Sequence, residues 1–200
     1  MHLRLGAKLC EPHTCPSGVL VNCFGLHSLS CKKSSGRINR HQLLNDIIWR
    51  AFRCAGIPAI KEPIGLCRAD GKRPDGLTQI PWESGKCLTW DVTVTDTLAV
   101  SNLSLSAAEA GSALERKSVK YTKLTSSYDF VSLAFETIGP INSSGAEFIK
   151  ALGKRIRAMT GEPRETSFLW QRISVAIQRF NGISLQGTFE ADQQENFKKS

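Results

Sequence analysis

Residues 87–95 read Cys-Leu-Thr-Trp-Asp-Val-Thr-Val-Thr, a run that alternates with a period of two. Leu88, Trp90, Val92 and Val94 fall on one face of a strand, and Cys87, Thr89, Asp91, Thr93 and Thr95 on the other. A helix would scatter these residues, so a sheet with one apolar face is required. Just upstream, Trp82-Glu83-Ser84-Gly85-Lys86 reads as a hairpin connection, with Gly85 supplying the turn. Such a hairpin brings Asp75 towards Asp91. Two neighbouring carboxylates repel at neutral pH unless a cation lies between them. Hard oxygen donors suit Mg²⁺ or Mn²⁺. Taken alone, Pro74-Asp75-Gly76 is also an ordinary turn sequence, and the wider charge pattern is what gives the pair interest.

The 200 residues carry 26 Lys and Arg against 18 Asp and Glu, a formal charge of +8. Between Lys32 and Arg73 there are ten basic residues and three acidic ones, so this stretch holds most of the excess. A basic block of this kind suits a polyanion, with phosphates the first candidate. A divalent metal beside such a surface points to phosphodiester hydrolysis. Within the block, Arg37, Arg40, His41, Lys72 and Arg73 are the candidate contacts to a nucleic-acid backbone. Glu62, just before Pro63, is a candidate third carboxylate for the metal. No apolar run reaches membrane-spanning length, and the N-terminus lacks the apolar core of a signal peptide. An intracellular protein without a membrane partner is therefore expected, its seven Cys serving as ligands or core thiols rather than disulfides.

Four of those Cys lie in the first 31 residues, interleaved with His13 and His27. So short a segment cannot build a hydrophobic core, and a bound Zn²⁺ would replace one. Cys15, His27 and Cys31 are the best three ligands. Cys23 or Cys10 is the expected fourth.

Further along, Leu44, Ile47, Ile48, Ala51 and Ala55 repeat at helical spacing, with Arg40 and His41 at the start and Gly56 and Pro58 at the stop. Residues 57–66 read as an edge or irregular strand because of Pro63. Residues 104–123 read as a helix placing Lys117 and Tyr121 on one face, and 130–138 as a buried strand. Two apolar stripes follow: Phe148, Ile149, Leu152, Ile156 and Met159, then Phe168, Leu169, Ile173, Ala176, Ile177 and Phe180, with Gly182 after it. The expected organisation is a Cys/His-rich segment with a basic linker over 1–36, a core over 37–140, a helical extension over 141–188 and a disordered tail over 189–200. The fold class is mixed α/β.

The order of elements and acids resembles the PD-(D/E)XK, or restriction-endonuclease-like, nucleases. Pro74-Asp75 stands as the first half-motif and Asp91-Val92-Thr93 as the second. The chain looks more similar still to the endonuclease region downstream of reverse transcriptase in certain non-LTR retrotransposons. There a Cys/His knuckle precedes an Arg-His helix, an Arg/Lys-Pro-Asp, an Asp-Val strand and a Lys-x-x-x-Tyr helix. Here these are Cys15/His27/Cys31, Arg40-His41, Arg73-Pro74-Asp75, Asp91-Val92 and Lys117/Tyr121.

The resemblance implies a core of order α-β-β-β-α-β and a Mg²⁺-dependent DNA endonuclease. Asp75, Asp91, Lys117 and Tyr121 would be catalytic. The partners implied are DNA or RNA and a reverse transcriptase in cis or in trans, and the location implied is nuclear. It also implies that the chain is the C-terminal part of a reverse-transcriptase-like reading frame. Two positions depart from the pattern. Thr93 stands where those nucleases place a Lys, and the resemblance implies that Lys117 takes over that role from the helix. Ser17 stands where the knuckle would carry a Cys.

Overall fold

The computed structural model describes residues 6–66, 73–96 and 127–189. Lys72, Lys117, Tyr121, the expected helix over 104–123 and the expected tail from 190 lie outside them. The described residues form a mixed α/β protein. A small hairpin of β1 (His13–Thr14) and β2 (Leu20–Val21) leads to the short α1 (His27–Ser30). Then come α2 (Ser35–Cys54), β3 (Ala59–Lys61), β4 (Gly76–Glu83), β5 (Lys86–Thr95), β6 (Tyr128–Glu136), α3 (Ser143–Thr160) and α4 (Glu165–Gln186).

The main sheet has the order β3-β4-β5-β6. The first two pairings are antiparallel, and β5 and β6 run parallel. β4 and β5 are joined at Ser84-Gly85, both at positive φ (50° and 76°). This is the two-residue turn whose twist matches a hairpin, and Gly85 takes the left-handed backbone without penalty. The predicted apolar face is buried at Leu88, Trp90 and Val92, but Thr89 on the other face is buried as well, its hydroxyl donating to Asp129 O (3.1 Å). The three apolar side chains join α2, α3, α4 and β6 in one hydrophobic core that includes Leu44, Ile48, Phe52, Leu133, Phe135, Ile149, Leu152, Leu169 and Ile173. The helices of residues 143–186 thus close the same core as the sheet.

Three boundaries differ from the sequence reading. α2 begins at Ser35, not at Arg40. Ser34-Ser35-Gly36 looks like linker, but a glycine is needed at 36 because a Cβ there would run into Ser184 of α4. Close approach of two helices outweighs the poor helix propensity of glycine. Arg40 and His41 therefore lie beyond the first turn. The strand expected over 57–66 shrinks to Ala59–Lys61, since Glu62 adopts a positive φ of 49° just before Pro63. α4 continues through Gly182 to Gln186. Its last turn carries Leu185, which packs on the Cys/His segment at Gly25.

Candidate functional site

Two clusters stand out, one at the N-terminal segment and one where α2 meets the β4–β5 pair. Cys15 follows β1, and a tight turn returns the chain to β2: Gly18 N–H donates to Cys15 O (2.7 Å) and Cys15 N–H to Val19 O (2.9 Å). α1 supplies His27 and, at its end, Cys31, whose N–H donates to His27 O (3.0 Å). The helical spacing of four puts the imidazole and the thiol on one side. Cys15, His27 and Cys31 offer ligand atoms all within 4.8 Å of one another, the one such group of three among the described residues. Cys15 and Cys31 are buried, and their sulfurs are 3.7 Å apart.

That separation fits a shared metal. Two sulfurs at about 2.3 Å from a tetrahedral Zn²⁺ stand roughly 3.8 Å apart. Burial raises the Cys31 thiol, but hydrogen bonds from the Lys33 backbone, Ser17, Cys15 and the Ser34 backbone outweigh it, so the thiol lies below its ordinary value. The cluster could hold a metal such as zinc, with soft thiolates and an imidazole as the donor set. Cys23 and Cys10, the two expected fourth ligands, are not in the group. Cys10 Sγ instead donates to Asn22 O (3.5 Å). The Cys23 carbonyl accepts from Leu9 and Cys10 N–H (2.7 and 3.3 Å).

The second cluster centres on Asp75. The register sets Gly76 against Trp90 and Leu77 against Thr89; Asp75 stands just before β4, and its charge and that of Asp91 both act on His41. Asp75 is fixed on every side. Its N–H donates to Trp90 O (2.9 Å), and its carbonyl accepts from Glu62 N–H (3.0 Å) and Asn45 Nδ2 (3.1 Å). Its Oδ2 accepts from Val92 N–H (2.6 Å) and contacts His41 Nε2 (3.1 Å). The Asp75 side chain is only 13% exposed, against 40% for His41. Asp91 accepts from Thr93 Oγ1 (3.5 Å).

His41 is held above its ordinary value of 6.5, first by its hydrogen bond to Asp75 and then by the charges of Asp75 and Asp91 and by the Val92 carbonyl; burial opposes this. A positive charge is thus drawn into a nest of oxygens. Because the folded value is raised, protonated His41 stabilises the fold fully below the ordinary value. The contribution is lost as pH rises through the raised one. NMR titration of the His41 imidazole is expected to give a midpoint above 6.5, falling towards it in Asp75→Asn. An unshifted midpoint in the wild type would contradict the pairing.

Asn45 was not singled out in the sequence, yet it ties the cluster together. From α2 it donates to Asp75 O and accepts from Trp90 Nε1 (2.8 Å). An asparagine inside a helix, four residues after His41, is the signal that could have found it.

The other candidates scatter. Glu62 forms no compact group with Asp75 and Asp91; its exposed carboxylate lies 3.8 Å from Arg73 Nη2. Arg37 is exposed and donates to Ser30 O (3.3 Å). Arg40 is 2% exposed, packed between α2 and α4, where Nη1 donates to Asn181 Oδ1 (2.7 Å). Burial, with help from Arg37, pushes its guanidinium down to about 10. Arg40 therefore braces two helices and does not present its charge at the surface.

No protein-family model matches the chain, and no curated protein matches it either. The class defined by fold and site is a mixed α/β protein with a Cys-His-Cys cluster suited to a metal such as zinc.

Proposed function

We propose that the protein is a metal-dependent DNA endonuclease-like domain of retrotransposon origin, hydrolysing phosphodiester bonds. The observation that carries this reading is the oxygen nest around His41: Asp75 Oδ2 lies 3.1 Å from its imidazole, and the charge of Asp91 and the Val92 carbonyl act on it from β5. The arrangement of α2, then β3, β4 and β5, with β6 parallel to β5, is in keeping with a restriction-endonuclease-like core.

The donor set fits Mg²⁺ or Mn²⁺, since it consists of hard oxygens. Asp75 and Asp91 would hold the ion. When bound, it would acidify a water and offset charge on the scissile phosphate. The chain's own groups prepare the site. Val92 N–H and Asn45 fix Asp75 before any ligand arrives, and His41 balances its charge. Arg37 and Arg73, with Lys72, would lie along the DNA backbone. Lys117 would supply the positive charge that Thr93 cannot, and Tyr121 would orient the attacking water. A nuclear location and a reverse transcriptase acting in cis or in trans belong to the same reading.

A plasmid-nicking assay tests it. Nicking is expected with Mg²⁺ or Mn²⁺ and none with EDTA; metal-independent nicking, or none under any condition, would count against the proposal. A second reading is a catalytically inactive nucleic-acid-binding module. It is favoured by Thr93, an uncharged hydroxyl bonded to Asp91 where a cation would act. DNA binding that persists without nicking would select it.

A further inference from the structure

Three features were candidates for a site beyond the carboxylate pair. An apolar groove between α2 and α4, about 640 Å³ and flanked by Leu43, Ile47, Phe168 and Val175, has nothing to say what covers it. The buried Arg40, Ser34 and Ser184 each keep a polar atom without a partner among the described residues, but no ligand is indicated there. The third feature is Ser17.

Ser17 Oγ lies 3.1 Å from His27 Nε2. It therefore stands against the imidazole of the Cys15-His27-Cys31 group. An oxygen and a nitrogen sharing a tetrahedral metal, each about 2.1 Å from it, stand roughly 3.4 Å apart. Ser17 Oγ is close to where a fourth donor belongs. The two sulfurs are buried, whereas Ser17 and His27 are only half-buried, so this corner of the tetrahedron faces solvent. Lys33 Nζ donates to Pro16 O (3.0 Å), which puts an ammonium at the residue before Ser17.

We propose that the Cys15-His27-Cys31 centre has three firm protein ligands and a displaceable fourth corner at Ser17, and that this corner accepts an external thiolate. A neutral hydroxyl is a weaker donor to zinc than a thiolate, so the Ser17 corner is the one a thiol can take. A thiol arriving at the exposed corner loses its proton to solvent and binds through sulfur. The Ser17 hydroxyl leaves the corner unchanged, and no electron is transferred. Lys33 favours the incoming negative charge. A structural zinc site would instead be closed by four protein ligands.

Cobalt(II) loaded into the full chain reads the number of metal–sulfur bonds through their charge-transfer absorption. The wild type is expected to show two such bonds, rising about one and a half-fold in intensity on saturation with 2-mercaptoethanol. Ser17→Cys should start at the higher level and not respond to added thiol. Ser17→Ala should keep both the lower level and the response. Cys10→Ser and Cys23→Ser should match the wild type, which also separates this proposal from the sequence expectation for those two residues. The proposal is overturned if the wild type starts with three bonds and loses one in either variant, if added thiol leaves its spectrum unchanged, or if the chain binds no cobalt.

Discussion

Replacing Asp91 by Asn is expected to abolish Mg²⁺-dependent nicking, a loss of at least about 1,000-fold if the ion supplies several kcal/mol at the phosphate. The fold should survive. Asp91 is half-exposed at a position on β5 opposite the Trp90 face, and the amide keeps its size and can still accept from Thr93 Oγ1. Asp75→Asn should be comparably inactive but less stable, because Asp75 Oδ2 accepts a main-chain N–H and faces His41 with only 13% of its side chain exposed. Nicking and thermal denaturation, measured on both variants, separate chemistry from folding. Wild-type nicking in a folded Asp91→Asn protein would remove the carboxylate pair from the mechanism. Loss of nicking with a far lower melting temperature would show that Asp91 acts through the fold.

The second large effect concerns stability. A Cβ added at Gly76 would fall inside the indole ring of Trp90, which is fully buried and anchored by its Nε1 bond to Asn45 (2.8 Å). The ring cannot move aside without losing that bond and its packing on Phe52, whose ring centroid is 4.8 Å away. Gly76→Ala is expected to cost about 3 kcal/mol by overpacking, lowering Tm by about 6–12 °C in a chain of this size. The same substitution at Gly182 is the control. It lies inside α4 with nothing within 4 Å of a built Cβ, so alanine there should stabilise by up to about 1 kcal/mol. Equal melting temperatures for the two variants would mean that Trp90 does not lie over Gly76.

Gly76 also bears on how the site is built. Because it has no side chain, Trp90 can lie across β4 and reach Asn45, and Asn45 in turn fixes the main chain of Asp75. A substitution there should disturb His41 as well as the core. The His41 titration midpoint then reports on the β4–β5 contact from the solvent side.

The sequence by itself determined the strand of residues 87–95, the Ser84-Gly85 turn, the helical stripes apart from Met159, which is exposed, and the grouping of Cys15, His27 and Cys31. Each rests on a local rule: a period of two, a residue that tolerates positive φ, a period near 3.6, or ligands four apart on one helical turn. The hairpin forms as predicted because a two-residue turn fixes its own register; it places Asp91 on β5, while Asp75 precedes β4. Only the tertiary structure decided that α2 starts at Ser35, that Arg40 turns inward to Asn181, that Cys10 and Cys23 fall outside the Cys15-His27-Cys31 group although Cys10 packs against the buried Cys15, Val21 and Cys31, and that Ser17 meets His27. Those outcomes depend on contacts between residues far apart in the chain, such as Gly36 with Ser184 and Asn45 with both Trp90 and Asp75. Local propensity carries no information about such partners, and packing at close approach overrides it.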